Sequence, residues 1–125
     1  MATPLDPDYR AHLQRLSDMF AASIPARMAA IGDALAAAGT KPDRQQLEQL
    51  HGALHTVAGS AGSFGFTVLG DQARRLEQAV RGLIDDVSAG EAAGESDWAA
   101  LVPQVVAYLD WARIGPRRTT YLTHD

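Results

Sequence analysis

The chain contains no cysteine, which excludes disulfides and thiolate metal sites and fits a reducing compartment. No apolar run approaches the roughly 20 residues that span a bilayer, because charge interrupts every apolar segment within a few positions. The opening M-A-T-P-L-D-P-D has neither a basic start nor an apolar block, so it does not read as a signal peptide and the expected location is cytoplasmic. Positive charge is also scarce: 11 Lys and Arg against 15 Asp and Glu leave a formal net charge of −4. Nucleic acid is therefore not an expected partner. The basic cluster Arg113, Arg117 and Arg118 is short and has no interleaved aromatics, which describes a solvated helix end.

What remains is an ordinary soluble composition of 125 residues, 46% apolar and 21% charged, enough for one domain with a modest core. No segment shows the period-two alternation of a strand, whereas apolar residues recur at steps of three and four along most of the chain, so the fold class is all-α. Five helical segments are expected. The first opens with Asp6 as N-cap and Pro7 at the first helical position, buries Leu13, Leu16 and Phe20, and ends or kinks near Pro25. A second, Ala26 to Ala38, carries Met28, Ile31 and Leu35 and stops at Gly39 and Pro42. Asp43 with Gln46 makes a capping box for the third.

Gly65 marks a turn into the fourth helix, with Leu69, Leu76, Val80, Leu83 and Val87 on one face. Gly90 and Gly94 bound a connection to the last, where Leu101, Val105, Leu109 and Ala112 form the stripe and Pro103 obscures the start. Short connections imply antiparallel neighbours, hence an up-and-down four-helix bundle with an additional N-terminal helix. The domain is expected over 1–116, with 117–125 a polar tail or linker.

The third helix holds the most informative stretch, H-T-V-A-G-S-A-G-S-F-G-F from His55 to Phe66. Leu47, Leu50, Leu54, Val57 and Ala61 form its core stripe, and at about 100° per residue His55 projects roughly 120° from the centre of that stripe. It is expected to be exposed. Glycine in a helix interior costs about 0.5–1 kcal/mol relative to alanine, so Gly59 and Gly62 beside one histidine require a reason. Gly59, four residues on, leaves bare backbone that lets another protein approach the ring.

His55, Gly59 and Gly65, with small Ser60 and Ala61 between, resemble the motif of histidine-phosphotransfer domains, and G-S-F-G-F is similar to the phosphotransfer domain of chemotaxis-type histidine kinases. The resemblance extends over most of residues 6–113. It implies the bundle architecture and a phosphoryl group accepted on His55 and passed on, between a histidine kinase and the aspartates of response-regulator receivers. Mg²⁺ then belongs to the receiver and no cofactor to this chain. Glu48, His51, Gly59, Gly62 and Ser63 form the expected docking surface. The family usually carries Lys or Arg three residues after its histidine; here that position is Ala58.

A phosphoacceptor imidazole needs an orienting acceptor on its other nitrogen. Glu77 lies one residue beyond core Leu76, as His55 lies one beyond Leu54, so in an antiparallel pair both sit on converging flanks with heights that differ by roughly 4 Å. The resemblance agrees, since the family often places Glu or Gln there. Arg74, one turn nearer the turn, is a candidate phosphate contact in place of the missing basic residue, against the plainer reading of a surface charge covering apolar stem area. His51 is expected to be an exposed bystander and not half of a metal pair, because H-E-x-x-H spacing and a third ligand are missing. The glycine spacing follows a helix and lacks G-K-[ST], which rules out a nucleotide loop. A carrier of phosphate is the leading function, a phosphoryl carrier and not an autonomous kinase. A docking adaptor that does not take phosphate, and an inert bundle, are the alternatives.

Overall fold

The computed structural model describes residues 7–90 and 95–115. Among these the chain is all-α: α1 (Pro7–Ala38), α2 (Arg44–Ser60), α3 (Thr67–Ser88) and α4 (Glu95–Ile114), with a 3₁₀ turn at Gly62–Phe64 between α2 and α3. The expected N-cap Asp6, Gly94 and the tail 117–125, with Arg117, Arg118 and His124, lie outside the described residues.

The first two expected helices are one. α1 passes through Pro25, where the missing N–H leaves the Ala21 carbonyl without its usual helical donor. Pro25 is exposed, so water can reach that carbonyl, while buried Ile24, Met28 and Ile31 hold the helix on the core on both sides of the break. Beside it, Ser23 Oγ donates to the Phe20 carbonyl and receives Arg27 Nε, whose guanidinium lies over the Phe20 ring. Pro103 is tolerated in α4 on the same terms, at an exposed position.

α1 has 32 residues, about 48 Å, whereas the 17 residues of α2 span about 26 Å. α1 therefore overhangs the end where the chain turns from α2 to α3. Leu13, expected in the core, is 40% exposed, and Leu16 is half-buried. The core begins at Ser17, which donates to the Phe64 carbonyl, and Phe20, which stacks on Phe64 and tilts against Phe66.

α2 starts as its sequence dictates: Asp43 Oδ1 accepts from Gln46 N and Gln46 Oε1 accepts from Asp43 N, and Gln46 Nε2 also ties back to the Ala37 carbonyl. The turn to α3 is a Schellman closure, with Phe66 N bonded to Ala61 O, Gly65 N to Gly62 O, and Gly65 left-handed at φ 92°. Beyond it the two helices meet through Ala61 and Gly70, Ala58 and Arg74, His55 and Glu77, and His51 and Arg81. Partners on α3 thus advance as those on α2 retreat. α4 is fastened at its start by the Trp98 indole N–H to Gly39 O, and at mid-length by Tyr108 Oη to Leu69 O. Tyr108 takes the buried place expected for Leu109, which is half-buried, as is Leu35 on α1. Ile31, Leu47, Leu50, Leu54, Val57, Leu69, Val80, Ile84 and Val105 are the largest fully buried side chains of this core.

Candidate functional site

His55 sits in the C-terminal half of α2, on its exposed flank, with its side chain 66% exposed, while Glu77, on the facing flank of α3, is only 13% exposed. His55 Nδ1 is 2.5 Å from Glu77 Oε2. A carboxylate only accepts, so this contact places a ring proton on Nδ1 and orients the ring with Nε2 pointing away from Glu77. In the neutral form of the ring Nε2 then carries the lone pair of a nucleophile.

The backbone around it is bare. Gly59, one turn on, and Gly52, nearly one turn before, are both exposed, and a Cβ added at either would meet nothing within 4 Å. Gly52 was not among the sequence candidates, although it lies three residues before His55 and so shares its flank, as Gly59 does four residues after. Gly62 is half-buried and equally uncrowded, and Ser63 is exposed. Gly70 differs: its Cβ would come 3.2 Å from Ala61 Cβ and 3.4 Å from Gly62 N, so it permits the close approach of α3 to α2.

Ala58 is 5% exposed, within the seam between the helices. A basic side chain there would have to leave through that seam. Arg74 instead reaches across from α3 and donates from Nη2 to the Ala58 carbonyl at 3.0 Å, satisfying one of the last carbonyls of α2. The guanidinium charge thus lies at the backbone of position 58.

His51 is not the exposed bystander expected. Its side chain is 16% exposed, Nε2 lies 3.3 Å from Glu77 Oε2 and 3.4 Å from Arg81 Nη2, and its ring stacks on His55 with centroids 6.0 Å apart. Burial, then the Arg81 cation, lowers its pKa below the ordinary 6.5, with His55 acting in the same direction and Glu77 and Glu48 opposing. Arg81 also went unnoticed. The signal was present, since Arg81 is one turn beyond Glu77 as His51 is one turn before His55. Glu48, three residues before His51, is exposed and paired with Arg44 at 3.0 Å. His12 is exposed on the α1 overhang. Among the described residues no group of three His, Asp or Glu side chains is arranged to hold a metal ion.

A model of the Hpt domain matches residues 15–111, more than three quarters of the chain. The chain belongs to the Hpt domain family. Neither a curated protein nor a solved structure matches it. Membership assigns this Hpt domain to histidine phosphotransfer in two-component signalling in general, where Hpt domains engage kinases and receiver domains. No described helix is long and apolar enough to cross a membrane.

Proposed function

We propose that this Hpt domain is a cytoplasmic phosphorelay intermediate in which His55 carries the phosphoryl group and Glu77 orients it. The observation that carries the reading is the pairing of His55 Nδ1 with Glu77 Oε2 beneath an imidazole whose other edge is open to solvent between two bare glycines. The partner is a receiver domain or histidine kinase that docks over Glu48, Gly52, Gly59, Gly62 and Ser63, with the His51 side chain beneath that surface. Any Mg²⁺ belongs to the receiver. The scaffold is an up-and-down bundle of the four described helices.

In the transfer from a receiver, the His55 Nε2 lone pair attacks the phosphorus of an aspartyl phosphate in line with the acyl oxygen. The N–P bond forms as the P–O bond breaks, and its electron pair departs on the receiver carboxylate. The Nδ1 proton stays on the ring, shared with Glu77, whose charge offsets the positive charge of the phosphoimidazole. Arg74, held at the Ala58 carbonyl, supplies a cation for the phosphoryl oxygens.

The test is incubation with phosphorylated receivers or with kinase and ATP. Acid-labile label is expected on the wild type and none on His55→Gln, which stays folded because the position is exposed and glutamine is a good helix former. Label persisting on folded His55→Gln refutes His55 as the acceptor. The placement of Ala58 where the family carries a basic residue favours a second reading, an adaptor that docks without transfer. Tight receiver binding with no label on the wild type would establish it.

A further inference from the structure

His51 and Arg81 form a second layer of polar contacts one turn below the His55–Glu77 pair. Nε2 of His51 faces both Arg81 Nη2 and the same Glu77 oxygen that receives His55. A guanidinium only donates, so its contact requires a lone pair on Nε2 and the proton on Nδ1. In the opposite tautomer Nε2–H turns to Glu77, Arg81 loses its acceptor, and two imidazoles share one oxygen. The positive charge of Arg81 favours the first arrangement, and burial keeps the ring neutral. The charged and titratable groups facing His51 are Arg81 and Glu77 on α3 and Glu48 and His55 on α2.

We infer that His51 is a positioning residue for the phosphoacceptor: its ring stands between Arg81 and Glu77, accepts the guanidinium at Nε2, and thereby keeps the carboxylate charge for the His55 Nδ1–H. Arg81 lies four residues after Glu77 on α3, the spacing at which a helical Glu and Arg pair directly. Without the imidazole between them that pair forms, and a carboxylate engaged by a guanidinium holds the His55 proton less strongly and offsets the charge on phosphohistidine less fully. The inference rests on the reading of His55 as acceptor.

The experiment measures the rate of transfer from a phosphorylated receiver to His51→Ala, His51→Gln, Arg81→Ala and the double variant His51→Ala/Arg81→Ala. It also records the ¹⁵N shifts of the His55 ring in each unphosphorylated protein. His51→Ala is expected to slow transfer about three- to tenfold, the effect of one competing charge contact between an exposed guanidinium and a largely buried carboxylate. The double variant is expected to return within about twofold of wild type, His51→Gln to stay near wild type because its amide oxygen accepts from Arg81, and Arg81→Ala alone to change little. The ¹⁵N shifts should report an Nδ1–H tautomer in wild type and a mixture in His51→Ala. A wild-type rate in His51→Ala, no rescue in the double variant, or an Arg81→Ala loss as large as that of His51→Ala overturns the role. If the wild type takes no label, the carrier reading fails, and the ¹⁵N shifts still decide whether His51 sets the tautomer of His55.

Discussion

At the scale of single residues the proposed site restricts one proton. Glu77 is more than four-fifths buried whereas its partner histidine is mostly open, so the carboxylate is held and the imidazole is presented. Glu77→Ala is expected to slow phosphorylation of His55 about ten- to a hundredfold without abolishing it, since the nucleophilic nitrogen remains; a rate unchanged in a labelling time course would return Glu77 to an ordinary surface role. Arg74→Ala is expected to slow transfer by up to about tenfold at low salt and less at high salt, as fits an exposed charge contact worth roughly 1 kcal/mol. Equal rates in the two proteins would leave its bond to the Ala58 carbonyl as a helix cap alone. Ala58→Lys is a poor substitute test, because position 58 lies in the helix seam. The meeting of His55 with Glu77 is legible in the sequence because each follows a core leucine by one residue. The burial of His51 is not, since a helical wheel fixes its angle and leaves unsaid how closely α3 packs on that side.

At the scale of elements, the glycines of α2 and α3 fall into two kinds that sequence alone does not separate. Gly52→Ala and Gly59→Ala are each expected to raise stability by about 0.5–1 kcal/mol in urea unfolding, because the added methyl meets open space on a regular helix, and each to weaken receiver binding. Gly70→Val is expected to lower stability by about 1–3 kcal/mol, because its methyl groups would press on Ala61 and the backbone of Gly62. If all three shift stability in the same direction, the distinction is wrong. The capping box at Asp43 and Gln46 and the left-handed Gly65 were readable from residue type, both being local chemistry. The continuity of α1 was not. Proline rules are local too, yet burial of Ile24, Met28 and Ile31 outweighs the one bond that Pro25 removes.

At the scale of the whole molecule, the four helices end at different heights. The first turns of α1 extend past the α2–α3 turn, and the amphipathic pattern of Leu13 and Leu16 continues where there is little to pack against, a circumstance that periodicity cannot reveal. Removal of residues 1–13 is accordingly expected to cost no more than about 1 kcal/mol, a drop in Tm of at most about 4–8 °C for a domain of this size, and to leave labelling of His55 intact. A loss of cooperative melting on that truncation would show that the overhang holds the fold.

The Schellman turn at residues 61–66 has a consequence for the chemistry some distance from it. Pinned by Gly65 and by the crossing of Ala61 with Gly70, it meshes α3 with α2 as one gear with another, tooth against tooth at 58 and 74, 55 and 77, and 51 and 81. Each residue is a step of about 100°. One residue inserted in the turn would bring Leu76 round to the histidine, and one deleted would bring Gln78, so the length of a six-residue loop selects which side chain meets the imidazole.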